Sequence, residues 1–195
     1  MSRRILIIQG HPDPAAGHFG QALVDAYRAG AEAAGHSVDE VHLADLDYPM
    51  LRSEKEWTQG EVPESLKPVQ SQILSADHLV FVFPLWLGTL PARMKAFLEQ
   101  VLRPGFAFGA DAREGIGERH LKGKSARVII TMGMPGPVYR WFFAAHGYRN
   151  FKRNILQFCG IRPVRRCFVG GVAGPNDAGR RRWLARVEAI GRKGL

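Results

Sequence analysis

The sequence predicts an α/β fold in which helices cover both faces of a five-stranded parallel sheet. Three observations predict it. Short apolar runs alternate with amphipathic helical stretches along the whole chain. The central runs are continuous rather than alternating, the pattern of strands buried on both faces. Most are bounded by Gly or Pro, which punctuate the connections. The length of 195 residues suits one compact domain covering residues 1–195, large enough to bury a sizeable core.

Arg3–Gln9 is an apolar, β-branched run ending at Gly10 and reads as the first strand. His18–Ala34 places Phe19, Leu23, Ala26, Tyr27 and Ala31 on one helical face and stops at Gly35. Ser37–Leu43 alternates through Val38, Val41 and Leu43 as a second strand. Asp45–Glu61 is mixed and reads as a loop. Pro63–Ser75 is a helix with Pro at its start. Leu79–Phe83, closed by Pro84, is a buried strand, and Pro91–Leu102 a helix with Met94, Phe97, Leu98 and Val101 on one face. Arg127–Met132 is a further buried strand. Residues 138–159 read as helical with a break near Gly147. Arg165–Val172 is the last strand, and Asn176–Arg192 a closing basic helix with Asn176 as N-cap. Five strands alternating with helices fit the flavodoxin-like order 2-1-3-4-5 of a doubly wound sheet.

Composition narrows the function classes. Apolar residues make up 46% and charged residues 23%, which argues against disorder. No apolar run approaches the roughly 20 residues of a membrane span. The apolar run near Met1 stops at Gln9, too short for a secretory leader. The two cysteines, Cys159 and Cys167, offer no disulfide framework and fit a reducing, cytoplasmic setting. Cys159 lies in an apolar stretch and reads as structural. The net charge of +9 is concentrated in the last third of the chain, through Arg165, Arg166, Arg180, Arg181, Arg182 and Arg186. A solvated basic face, steering of a phosphate-bearing ligand, or nucleic-acid binding would each account for it, but no nucleic-acid-binding signature accompanies it. No metal-ligand spacing stands out.

In a doubly wound sheet ligands bind beyond the carboxyl ends of the strands. That rule selects residues 10–18, 84–91 and 133–140. The first loop, Gly10-His11-Pro12-Asp13-Pro14-Ala15-Ala16-Gly17-His18, leads into a helix N-terminus at Phe19, where free N–H groups favour a phosphate. It is neither a P-loop nor a G-x-G-x-x-G fingerprint. A plain turn with two solvent histidines would read the same. The second loop, Pro84-Leu85-Trp86-Leu87-Gly88-Thr89-Leu90-Pro91, suits a flat ring, with Gly88 allowing close backbone approach. Core or dimer packing is the alternative for Trp86 and Leu87. The third, Thr131-Met132-Gly133-Met134-Pro135-Gly136-Pro137-Val138-Tyr139, is a rigid turn that could flank the same ring.

Taken together the loops resemble the NAD(P)H:quinone oxidoreductase family, the flavodoxin-like branch with bacterial modulators of drug activity and ancillary subunits of potassium efflux systems. The resemblance runs from Arg3 to about Val172. It rests on the His11-Pro12-Asp13-Pro14 loop, the Pro84-Leu85 to Pro91-Ala92 spacing followed by Lys95, Phe106-Ala107-Phe108, the Thr131–Tyr139 turn and Phe158-Cys159-Gly160. It implies a bound flavin, FMN or FAD, held by His11, His18, Phe19, Pro84, Leu85, Trp86, Leu87, Gly88, Thr131, Met132, Gly133, Met134 and Tyr139. It implies ping-pong hydride transfer from NADH or NADPH to a quinone-like acceptor, with Tyr139 and His146 as catalytic residues. A homodimer is implied, with Trp86 and Trp141–Phe143 as contacts. The alternative reading is a flavin-binding regulatory subunit touching a membrane transporter. Ala16-Gly17-His18, Met134, the Tyr139–His146 interval and the bulky Trp141-Phe142-Phe143 depart from the family pattern.

Overall fold

The computed structural model describes residues 2–15, 17–109, 117–172 and 177–195. Five strands form one parallel sheet: β1 (Arg4–Gln9), β2 (Ser37–His42), β3 (His78–Pro84), β4 (Ser125–Met132) and β5 (Val164–Gly170). Their order is β2-β1-β3-β4-β5, as the alternation of runs and helices predicts. The chain order reverses beside β1, so the carboxyl ends of β1, β3 and β4 open on one crevice.

The two-residue period of the strands separates two cores. Ile5 and Ile7 of β1 and Val80 and Val82 of β3 face helix α1 (Phe19–Ala33) and helix α7 (Asp177–Gly191), meeting Leu23, Val24, Tyr27 and Val187. Leu6, Ile8, Leu79, Phe81 and Phe83 face the other way, toward α3 (Lys67–Ser75) and α4 (Ala92–Val101). Phe151 opens a π-helical turn, Phe151–Leu156, and wedges edge-on between Phe81 and Phe83, with centroids 5.1 and 5.7 Å away. That turn continues α6 (His146–Asn150), and α5 (Gly136–Trp141) precedes it. Helices α1 and α7 approach to backbone contact: a methyl added at Gly30 would strike the Glu188 carbonyl, and one at Gly191 the Tyr27 carbonyl.

Two expectations are corrected. The stretch 45–61 contains a short helix, α2 (Glu54–Gln59), capped by Ser53, whose Oγ accepts from Glu56 N–H at 3.1 Å. The segment is tied down from α4 and the turn after it. Arg93 donates to the Leu43 and Leu46 carbonyls, Gln100 to Pro49 (2.8 Å), and Arg103 to Glu56 (2.6 Å) and Gly60 (2.7 Å). The helical break falls at Ala144–Ala145, both left-handed at φ 49°, and not at Gly147. The Asn176 N-cap lies outside the described residues.

His78 opens β3 fully buried, its Nδ1 2.7 Å from Ser125 Oγ. Burial, then the charge of Arg3, pushes its pKa down to about 3. The unfolded chain therefore binds a proton that the folded chain refuses, between about 6.5 and 3. Stability contributed by neutral His78 is complete above the unfolded pKa and falls as pH drops through that window. The thermal midpoint should decline from pH 7 to 4, and His78→Gln should flatten the decline; an unchanged slope in the variant would assign it elsewhere.

Candidate functional site

The site begins where β1 ends. Gln9 is buried, and its Oε1 accepts from His11 N–H at 3.3 Å. His11 Nδ1 accepts from Asp13 N–H, and Asp13 Oδ1 from Ala15 N–H, so side chains of the loop shape its own backbone. His18 Nε2 meets Asp13 Oδ2 at 3.0 Å and its ring stacks on His11, centroids 3.7 Å apart. Burial, then the neighbouring His18, pulls the His11 pKa below its ordinary value. The Asp13 carboxyl is held below its usual range, first by the Ala15 N–H. Ala16 lies outside the described residues. A cavity of about 220 Å3 opens beside this loop, lined by Gln9, His11, Asp13, His18, His42 and Asp45 among others.

Helix α1 follows directly. His18 occupies its N-cap position without capping it, and no acidic residue stands in the first turn. The N–H groups of Phe19 and Gly20 meet no acceptor among the described residues. An uncapped N-terminus with free N–H groups favours an anion. The ring of Phe19 turns away from the loop, toward the α7 side, where Arg180 lies over it at 5.7 Å. What Phe19 offers the loop is therefore its backbone.

The loop after β3 is a tight hairpin. Trp86 and Thr89 exchange two backbone hydrogen bonds of 3.0 Å, with Leu87 (φ 46°) and Gly88 (φ 80°) at the tip. Both central residues lie in the left-handed region, as a type I′ turn requires. Gly suits it; a leucine there costs on the order of 1–2 kcal/mol. That strained side chain is also fully exposed, and backbone outliers of this kind cluster at ligand clamps and active sites. Trp86 is half exposed and meets His11 edge-on at 6.1 Å, joining the first two loops. Pro84 and Leu85 form the root of the turn, Leu85 N–H donating to the Thr131 carbonyl at 2.8 Å.

From β4, Thr131 and Met132 are buried, with the Met132 side chain in the core. Gly133 and Met134 rise from the sheet end, and their N–H groups meet no acceptor among the described residues. Tyr139 is buried against Phe168. Its hydroxyl accepts from Tyr148 N–H (3.1 Å) and donates to the Gly88 carbonyl (3.4 Å). Burial raises its pKa. His146, by contrast, is exposed at the start of α6. The two are not hydrogen-bonded to each other. Gly147 backs directly onto Gly88 and Thr89, with no space for a side chain.

The structure thus brings His11, His18, Trp86, Leu87 and Gly88 together and links Gly88 to Tyr139, while Phe19 and Met132 contribute backbone alone. Sequence reasoning missed Gln9, a polar residue at a strand's last position, and Gly147, whose role depends on a contact 59 positions away in the chain. Trp141 and Phe142 are strongly exposed. Cys159 is buried, its thiol pushed up to about 12 by burial.

A flat ring with a phosphate tail fits these residues. The uncapped α1 terminus provides for the anion, the open face over Gly88 has no atom within 4 Å of an added Cβ, and the Gly133 and Met134 N–H groups, without an acceptor among the described residues, suit ring heteroatoms.

A family described as having a flavodoxin-like fold matches residues 3–190. The chain is 28% identical over 192 residues to an uncharacterized NAD(P)H oxidoreductase of Haemophilus influenzae, covering 96% of this chain and 92% of that one. It is 30% identical over 196 residues to FMN-dependent NADH:quinone oxidoreductase 2 of Bacillus cereus, covering 90% of each. The crystal structure of Smu.1420 from Streptococcus mutans superposes with a TM-score of 0.83 at 26% identity, over 97% of this chain and 99% of the other. The chain therefore belongs to the flavodoxin-like family, among its NAD(P)H:quinone oxidoreductases.

Proposed function

We propose that the protein is an FMN-dependent NAD(P)H:quinone oxidoreductase. The observation that carries this reading is the meeting of an uncapped, acid-free helix N-terminus with a strained, exposed hairpin tip through the His11–Trp86 contact. The names of the relatives favour FMN over FAD. Bound flavin would supply two-electron chemistry between a reduced nicotinamide and a quinone-like acceptor.

The chain's own residues do the rest. The Phe19 and Gly20 N–H groups hold the phosphate. His18, its Nε2 3.0 Å from Asp13 Oδ2, ties the Asp13 side chain into the loop. The Leu87–Gly88 tip and Trp86 provide an apolar seat. The Gly133 and Met134 N–H groups meet negative charge as it develops on reduction, where excluded water makes them most effective. His146, exposed beside the seat, binds the acceptor and supplies its proton. Tyr139 is a positioning residue: its hydroxyl is committed to Gly88 and Tyr148 and acts by holding the tip. Donor and acceptor use one seat in turn, and exposed Trp86, Phe142 and Phe143 form the contact with a second copy.

Initial rates of NADH oxidation with benzoquinone and added FMN test this. Parallel double-reciprocal lines are expected, with His146→Ala lowering kcat/KM for the quinone by about tenfold to a hundredfold. Absence of flavin-dependent NADH oxidation would refute the reading.

A further inference from the structure

A second cleft lies outside the site just described. It has a volume of about 510 Å3 and sits at the free edge of β5, the strand that pairs with β4 alone. Its walls come from three elements: Pro135, Gly136, Pro137, Arg140 and Trp141 around α5, Arg166, Cys167, Phe168 and Gly170 of β5 with Gly171 just beyond it, and Trp183 and Arg186 on α7. The cleft backs onto the turn that carries Gly133 and Met134, where Gly170 packs on the Met134 carbonyl and Gly136 N–H.

Its chemistry is uniform. Two indoles and the Phe168 ring supply flat apolar surface, and Gly136, Gly170 and Gly171 leave bare backbone between them. Three guanidinium groups surround this surface. Arg140 lies over the Trp141 ring at 4.6 Å, Arg186 over Trp183 at 5.1 Å, and Arg166 over Phe168 at 5.6 Å. Stacked in this way each guanidinium keeps its planar edge free for an anion. None of the three forms an ion pair with a carboxylate among the described residues, although Arg28, Lys67, Lys95 and Arg192 elsewhere on the surface all do. Solvated surface cations ordinarily scatter among acids; here three converge, unpaired, on aromatic walls. The volume lies within the range of small-molecule sites.

We propose that this cleft binds an aromatic phosphate, namely a purine nucleotide, with its base on the indoles and its phosphates on Arg140, Arg166 and Arg186. The inference does not depend on the flavin reading. The nucleotide could be free, or it could be the adenosine-phosphate end of a dinucleotide, and the chemistry of recognition is shared.

The test is equilibrium dialysis of the full-length protein, with and without saturating FMN, against 5′-ADP and ribose 5-phosphate. FMN excludes ADP from the α1 terminus, so saturable binding in its presence belongs to the cleft. ADP is expected to bind at least about tenfold more tightly than ribose 5-phosphate, because stacking adds to charge. Arg166→Glu with Arg186→Glu should weaken ADP by at least about tenfold and leave FMN binding and the thermal midpoint unchanged. Displacement of ADP by NADH would assign the cleft to the dinucleotide's adenosine end; retention would assign it to a free nucleotide; both support the site. The proposal is overturned by equal affinity for the two probes, by ADP affinity unchanged in the double variant, or by no saturable binding up to roughly millimolar ADP. If FMN itself fails to bind while ADP binds in an arginine-dependent way, the flavin reading falls and this one stands.

Discussion

Gly147→Ala should strip the protein of flavin while leaving it folded. The added methyl would be driven into the Gly88 carbonyl oxygen and would lie 2.8 Å from Thr89 Cα. Both partners are backbone, so no flexible side chain can yield. The nearby exposed hairpin is the element best able to move. Its shift would also break the Tyr139–Gly88 hydrogen bond of 3.4 Å. With the seat displaced, FMN affinity should fall by about a hundredfold, equivalent to about 2.8 kcal/mol. Flavin fluorescence quenching measures the affinity, and circular dichroism checks the fold. Gly88→Ala is the contrast: a methyl there meets nothing within 4 Å, and only the positive φ opposes it. It should cost on the order of 1 kcal/mol of stability and much less flavin affinity. Equal losses in the two variants would show that backbone strain, and not the approach of α6, sets the tip.

Gly30→Ala should produce the largest loss of stability. Alanine is normally better than glycine inside a helix by about 1 kcal/mol, so propensity alone predicts a gain. Here the methyl would strike the Glu188 carbonyl, with its carbon at 2.9 Å, and α1 would have to move off α7. Gly191 faces Tyr27 in the same way, so the two helices touch through both glycines. Overpacking of this kind costs about 3 kcal/mol. For a chain of this size that lowers the thermal midpoint by roughly 6–12 °C. A midpoint equal to or above that of the parent protein would mean that the helices can separate freely. Because α1 also presents its N-terminus to the first loop, the variant should bind FMN less tightly as well.

The sheet was legible because buried parallel strands are written as continuous apolar runs, and the loops at their carboxyl ends follow from topology. Strand ends were less legible. β3 begins at His78, which hydropathy places outside an apolar run, yet its pairing with Ser125 admits it. α2 carried a signal that could have been used, Ser53 three residues before Glu56, but the segment around it is ordered by Arg93, Gln100 and Arg103 from distant positions. The break at Ala144–Ala145 uses left-handed alanines that no local rule selects, whereas Gly147, which looked like the breaker, is glycine for the sake of Gly88. In the candidate site, loop position selects His11, His18, Trp86 and Gly88, and the structure places them near one another. Tyr139 was marked by motif, but its burial and its two hydrogen bonds are tertiary facts, and they turn a residue read as catalytic into one read as holding the turn. Leu87 gave no sign of its positive φ, since a leucine in that conformation is a cost borne only where the surroundings impose it.

The three loops are read as one seat for a flavin, with its phosphate on α1. Titrating the flavin-free protein with FMN and with riboflavin tests this reading most directly. Saturation is expected at about one FMN per chain, with riboflavin binding weaker by at least about a hundredfold, because only FMN carries a phosphate to engage the Phe19 and Gly20 N–H groups. Equal affinity for the two, or no saturable binding of either, would contradict it.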